Sequence, residues 1–163
     1  MDEAKKITLI SADNRKFEVS ENIIKKSLLI KHMLNDYPDN YQIPLKNVKG
    51  KILEKIIEYL KHYENNEPME IPKPLPDDDF KKYVNEWDYK YIDLDLETTC
   101  EIIICANHMD IKSLLELASA KMAFIIKQND KNKIRKDFKI SNDLNPTEEE
   151  EMIKEETWSL ELI

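Results

Sequence analysis

Glycine is almost absent from this sequence, because Gly50 is the only one in 163 residues. Loops that wrap phosphate groups, such as GxGxxG and GxxxxGK[ST], need several glycines within a few positions so that the backbone can approach the phosphates. The chain can contain neither loop. This scarcity excludes most classes of nucleotide-binding protein.

Cysteine is also scarce, and the two that occur, Cys100 and Cys105, form neither a CxxC pair nor part of a repeated Cys/His spacing. Neither a disulfide framework nor a structural zinc site is therefore indicated, and we expect no metal and no cofactor. Free thiols are typical of a reducing compartment, which predicts a cytoplasmic and nuclear protein.

Long apolar runs are missing. No run approaches the roughly 18 residues that a membrane-spanning helix needs. The first residues, MDEAKKITLISADNRK, lack the charged start and apolar stretch of a signal peptide. We therefore expect neither a membrane partner nor a signal peptide.

Positive charge is outweighed by negative charge, with 33 acidic and 25 basic residues and a formal net charge of -8. Such a surface repels nucleic acid and anionic membranes at long range. The basic stretch 127–139 contains a single aromatic residue, Phe138, so we expect no nucleic-acid partner. The length predicts one domain with an appendage.

The first 50 residues carry strand patterns. Segments 7–10 and 16–19 flank a polar turn that contains Asp13 and Asn14, which predicts a hairpin. Segment 42–45 contains Pro44, which favours a short strand at the edge of a sheet.

Helical patterns fill much of the remaining chain. We expect helices over 21–35, with Ser20 as the N-cap, and over 51–63, with one broad apolar stripe. The next helix, over 96–108, is apolar nearly all round, which predicts burial. Between them, the acidic, proline-rich segment 64–79 predicts an extended surface loop.

A helix over 111–127, with Asp110 as its cap, shows two apolar stripes. One stripe is suited to the core: Ile111, Leu114, Leu115, Ala118, Met122 and Ile125. The second lies on the roughly opposite face: Leu117, Ala120 and Phe124. A second stripe needs a partner, either the large apolar side chains near the end of this chain or another protein.

The end of the chain is marked by a short basic helix over 130–138 and by Thr147-Glu148-Glu149-Glu150, which matches a capping box. Catalysis would have to use Cys105, His108 and Asp110 as nucleophile, base and orienting group. A buried thiol, a surface histidine and a helix cap account for these residues more simply.

Five segments resemble the Skp1 family in the same order. Segments 43–48, 87–95, 106–112 and 134–143 are similar to the family's PLPNV, WDxxFLKVD, ANYLDIK and IRKTFNIKND. The acidic run 148–151 and Trp158 lie where the family has an acidic run and a terminal tryptophan. The resemblance covers nearly the whole chain.

This resemblance implies an α+β fold. A BTB/POZ domain, a small sheet with packed helices, would span 1–127 and include the acidic loop 64–79. A helical C-terminal extension over 128–163 would complete a surface that binds F-box proteins. The implied function is a non-catalytic adaptor of an SCF-type E3 ubiquitin ligase, which bridges a cullin to F-box substrate receptors.

The resemblance also implies site residues. Cullin would bind at Asn107 and His108, where the family has tyrosine in place of His108. The F-box would contact Leu114, Leu117, Phe138, Ile140, Leu144 and Trp158. Segment 143–146 aligns with a family segment in which some members carry a hydroxylatable proline, which makes Pro146 a candidate for hydroxylation and glycosylation.

Other functions stay open at this stage. Elongin C has the same fold, but it ends soon after the BTB domain, so the extension with Phe138 and Trp158 argues against it. A self-associating BTB scaffold without F-box partners is a further alternative, and we expect at most a weak homodimer of the free chain. A hydrolase would depend on Cys105.

Overall fold

The computed structural model describes residues 5–39, 41–76, 79–141, 147–148, 150–152 and 154. The chain divides into two compact units, Met1–Gln128 and Asn129–Ile163. The strands are β1 (Lys6–Ser11), β2 (Lys16–Ser20) and β3 (Gln42–Leu45). The helices are α1 (Glu21–Ile24), α2 (Leu28–Asp36), α3 (Gly50–His62), α4 (Glu86–Tyr91), α5 (Leu96–His108), α6 (Lys112–Gln128) and, in the second unit, α7 (Lys131–Asp137). A 3₁₀ turn spans Phe80–Tyr83.

The three strands form one sheet in the order β2-β1-β3. β1 and β2 pair antiparallel, with Ile7 opposite Val19, and β1 and β3 pair parallel, with Leu9 opposite Ile43. The predicted hairpin and edge strand are therefore confirmed. Pro44 is tolerated in β3 because an edge strand has one side without a neighbour in the sheet. With its packed helices, the first unit is an α+β fold.

The single glycine lies close against side chains of the hairpin turn. Gly50 begins α3, and its N–H donates a hydrogen bond of 2.7 Å to Oδ1 of Asp13 in the hairpin turn. A Cβ atom at Gly50 would lie 2.5 Å from Cδ of Arg15. The pKa of Asp13 is lowered, first by the hydrogen bond from the Ser11 hydroxyl and then by the Gly50 N–H.

The expected helix over 21–35 is in fact two helices, α1 and α2. Ser27 interrupts it with an extended backbone and caps α2, accepting a bond of 3.3 Å from the N–H of Ile30. The hydroxyl of Ser27 also donates to the carbonyl oxygen of Met109 at 2.5 Å. Ser20 precedes α1 but makes no capping hydrogen bond. The hydrogen bond from Ser27 to Met109 therefore connects the start of α2 to the C-terminal end of α5.

α3 is the central helix and contacts β1, α1 and α5. Its predicted apolar stripe is confirmed, because every member is buried: Ile52, Leu53, Ile56, Ile57, Tyr59, Leu60 and Tyr63. The segment that follows, 64–79, has no regular secondary structure where it is described. It is more than a surface loop, however, because Ile71 is buried and Leu75 packs against the core.

Candidate functional site

The C-terminal end of α5 presents an exposed surface. Asn107 and His108 are exposed, and Ile104, one turn before them, is 66% exposed. Residues three and four apart share one face of a helix, so these three side chains form one patch, the α5 end surface. The prediction that α5 is buried nearly all round was wrong at Ile104, which sequence analysis did not select as a site residue.

A tight turn holds this end of α5 in place. The N–H of Ile111 donates to the carbonyl of Ala106 at 2.9 Å, and the N–H of Asp110 donates to that of Asn107 at 3.2 Å. Together with φ of 53° at Asp110, these bonds form a Schellman motif. Asp110 therefore ends α5, and it does not cap α6 as predicted, because α6 begins two residues later at Lys112.

The other end of α5 is capped by Asp95. Its Oδ1 accepts a bond of 2.8 Å from the N–H of Thr98, and its Oδ2 accepts one of 2.6 Å from the Thr98 hydroxyl. These bonds hold the pKa of Asp95 below its usual range. Along the side of the helix, Glu101 forms an ion pair with Lys49. The α5 end surface thus sits on a helix that is fixed at both ends.

The predicted core stripe is confirmed at Ile111, Leu114 and Ala118, but the inner face of α6 also includes residues outside that stripe. Leu114, Leu117, Ala118 and Lys121 are buried, and Ala120 and Phe124 pack against the same core. The stripe assigned to a partner is therefore an inner stripe. Leu114 and Leu117 are 0% and 1% exposed in the free chain, and their assignment to the F-box site stays a prediction.

Lys121 explains why the prediction failed. Its side chain is buried beside the rings of Phe80, Tyr89 and Phe124, with Nζ 5.9–6.0 Å from their centroids. The Nζ atom lies 3.5 Å from Oδ1 of Asp93. A lysine normally marks an outer face, but here the aliphatic stem is packed inside. The buried face of α6 is therefore rotated about the helix axis relative to the predicted core stripe.

The outer face of α6 carries a different set of residues. Leu115 and Met122 are half-buried, Ser119 and Ala123 are exposed, and Ile126 is 43% exposed. We call this set the α6 outer stripe. Its members recur at helical spacing and are apolar apart from Ser119, which is typical of a surface that a partner covers.

In the second unit, apolar residues follow α7. Phe138 is half-buried, and Ile140 is 54% exposed. The N–H of Ile140 donates to the carbonyl of Arg135 at 2.8 Å, and Lys139 has φ of 55°, so α7 also ends in a Schellman motif. The predicted basic helix is confirmed. Leu144, Pro146 and Trp158 lie outside the described residues.

The residues considered for catalysis do not form a reactive site. Cys105 is buried, and burial raises the pKa of its thiol, whereas His108 is exposed. No group of three potential metal ligands occurs among the described residues. Within the same residues, no helix is long and apolar enough to cross a membrane.

Two family models match the chain. The Skp1 family tetramerisation domain, a POZ domain, matches residues 5–65, and the Skp1 family dimerisation domain matches residues 112–159. The second match runs well past the BTB domain. It therefore does not favour the elongin C alternative.

Several relatives resemble the chain over nearly its full length. It is 45% identical to an S-phase kinase-associated protein 1 homolog of Tetrahymena thermophila, over 96% of this chain and 95% of the relative. It is 38% identical to the suppressor of kinetochore protein 1 of Schizosaccharomyces pombe, over 94% and 97%. It is 37% identical to the E3 ubiquitin ligase complex SCF subunit sconC of Arthroderma otae, over 94% of both chains. The chain therefore belongs to the Skp1 family, with the α+β BTB/POZ fold.

Proposed function

We propose that this chain is the non-catalytic adaptor of an SCF-type E3 ubiquitin ligase and bridges a cullin to F-box substrate receptors. The observation that carries the proposal is the near full-length similarity to an SCF subunit. It agrees with a molecule whose notable surfaces are apolar patches on helices rather than a cleft with reactive groups. We also propose that the protein acts in the cytoplasm and the nucleus.

The cullin binds at the α5 end surface. Ile104 supplies an exposed apolar anchor, and Asn107 and His108 add hydrogen-bonding groups beside it. An anchor surrounded by polar groups is typical of the centre of a protein interface. Because the helix is fixed at both ends, little conformational entropy is lost when the cullin binds.

The F-box protein contacts the α6 outer stripe in the first unit and Phe138 and Ile140 in the second. Amphipathic helices of the partner bury these apolar residues, as in other cases where helices dock into apolar surfaces. Leu114 and Leu117 support this surface from inside the core. Leu144 and Trp158 stay proposals from the family resemblance, and so does hydroxylation of Pro146, which the mass of a native peptide covering that residue would test.

The adaptor accelerates ubiquitin transfer by position alone. It holds the substrate receptor on one end of the cullin, which raises the effective concentration of the substrate near the ubiquitin-loaded enzyme. No residue of this chain has to donate a proton or attack the substrate. The buried thiol of Cys105, with its raised pKa, is consistent with this passive role.

Two matched variants test the proposal. Ile104→Asp and Ile126→Asp each place a carboxylate at an exposed apolar position of the first unit, on α5 and on α6. We expect Ile104→Asp to weaken binding of a purified cullin by about 30-fold or more and to leave F-box binding unchanged. Ile126→Asp should do the reverse.

Each variant serves as the folding control of the other, and circular dichroism checks both. Binding is measured by surface plasmon resonance with a cullin and with an F-box segment, one at a time. If the folded wild-type chain binds neither protein, the adaptor proposal is wrong. If it binds both proteins but neither variant changes either affinity, the two assigned surfaces are wrong.

A further inference from the structure

A cavity of about 540 Å³ lies between α6 and the segment that precedes the 3₁₀ turn. One wall is formed by Ile71, Pro72, Pro74 and Leu75, and the other by the small residues Ser119, Ala120 and Ala123 together with Leu115. Ligand pockets in proteins typically have volumes of about 300–1,000 Å³. The size and the apolar walls therefore suit a small organic ligand.

The outer wall of the cavity is anchored at two points. Ile71 is 7% exposed and belongs to the core, and the Nζ atom of Lys73 lies 2.5 Å from Oε1 of Glu116 on α6. The segment thus reaches α6 through an apolar contact and an ion pair. The cavity exists without a partner, because both walls belong to the same compact unit.

The charges at the cavity differ from those of the whole chain. Among the described residues, the charged side chains that line it are Lys73, Lys112 and Glu116, two lysines and one glutamate with a net charge of +1, whereas the chain carries -8. Lys73 is paired with Glu116, but Lys112 forms no ion pair with any residue that the structure describes. Glu70 lines an adjoining polar recess, together with Lys73, Lys112 and Glu116.

We propose that this cavity binds a small organic anion, whose apolar body lies between Leu115 and the proline wall and whose acidic group pairs with Lys112. An apolar ligand without charge would leave the lysine unpaired. A highly charged anion would have no apolar body to pack against the apolar walls. The site shares Leu115, Ser119 and Ala123 with the α6 outer stripe, so the anion and an F-box protein would compete for this face, but binding of the anion itself needs neither a cullin nor an F-box protein.

Two dyes with the same ring system test the proposal on the full chain. 8-Anilinonaphthalene-1-sulfonate carries one negative charge, and N-phenyl-1-naphthylamine is its neutral counterpart. We expect the sulfonate to bind more tightly than the neutral dye. Lys112→Met should weaken binding of the sulfonate by about two- to fivefold, as expected for an exposed charge pair, without changing that of the neutral dye.

Variants of the inner wall locate the site. Ala123→Phe fills the space and should abolish binding of both dyes, and Ser119→Phe repeats the test if the first variant does not fold. Leu28→Ser removes an exposed apolar side chain on α2 and should leave the binding of both dyes unchanged. Binding that survives both wall variants would overturn the site, and equal affinity for the two dyes would overturn the requirement for an anion.

Discussion

The hydroxyl group of Tyr63 donates a hydrogen bond of 2.6 Å to Oδ2 of Asp88, joining the end of α3 to α4. Asn85, the N-cap of α4, donates through Nδ2 to the same oxygen at 2.9 Å and to the hydroxyl oxygen of Tyr63 at 2.8 Å. Both Tyr63 and Asp88 are buried. The segment between α3 and α4 is thus closed by a polar link inside the core.

Tyr63→Phe should lower the free energy of unfolding by about 1.5–3 kcal/mol. The variant keeps the ring but removes a buried hydrogen bond to a carboxylate, and bonds to charged groups are worth more than neutral ones. Urea denaturation measures the change. Tyr37→Phe, at a residue that is 68% exposed, is the matched control and should be neutral. Equal effects of the two variants would contradict the importance of the link.

Asp88 should make the stability depend on pH. Burial raises the pKa of its carboxyl group, although the hydrogen bond from Tyr63 and the nearby His62 oppose the shift. The folded state therefore binds the proton more tightly than the unfolded state. Its contribution to stability is fully present below the ordinary aspartate pKa and is lost as the pH rises through the raised value.

Asp88→Asn removes this titration, so its stability relative to the wild-type chain should increase as the pH rises across that range. Urea denaturation of both proteins at several pH values measures the difference. A relative stability that falls with rising pH would mean that the carboxyl pKa is lowered rather than raised.

The hairpin, the edge strand and the helices α3 and α5 could be predicted because local patterns determine them. The alternation around Ile7 and Leu9 marks a strand with one buried face, and the stripe from Ile52 to Tyr63 marks an amphipathic helix. The position of Pro44 indicates an edge. None of these features depends on a residue far away in the sequence.

Other features depend on distant contacts and could not be predicted. Ser27 breaks a continuous helical pattern because its hydroxyl group donates a hydrogen bond to the carbonyl oxygen of Met109, 82 positions later. Lys121 is inside because its ammonium group lies near three aromatic rings from different segments. Ile104 is outside because no element among the described residues covers that face of α5. Leu117, which was predicted on the outer face of α6, consequently lies on its inner face.

Substitutions of Asp110 test how much its left-handed backbone conformation costs in stability. A left-handed conformation costs a residue with a Cβ atom about 1–2 kcal/mol, although aspartate tolerates it better than most residues. Asp110→Gly should therefore raise the free energy of unfolding by up to about 1 kcal/mol, and Asp110→Ala should lower it. Thermal unfolding distinguishes them, and the opposite order would show that the aspartate side chain itself stabilises the turn.

Two variants of Lys121 distinguish the contribution of its aliphatic stem to stability from that of its charge. Lys121→Met keeps most of the buried aliphatic stem, so we expect a loss of less than about 1.5 kcal/mol. Lys121→Ala leaves a cavity among Phe80, Tyr89 and Phe124 and should cost about 2 kcal/mol or more. Urea denaturation of both variants decides the question. If Met is as harmful as Ala, the ammonium group and Asp93 carry the stability.

The free chain should self-associate weakly through the α6 outer stripe. Ile126 is 43% exposed next to Met122 and Ala123, and an apolar stripe that lacks its F-box partner tends to find a second copy. Sedimentation velocity over a concentration series should show a dimer in the wild-type chain, which the net charge of -8 keeps weak. Ile126→Asp should remove it, and adding an F-box segment should compete with it. Ile104→Asp, which changes only the α5 end surface, should leave the dimer intact, and a dimer lost in Ile104→Asp but kept in Ile126→Asp would place self-association on α5 instead.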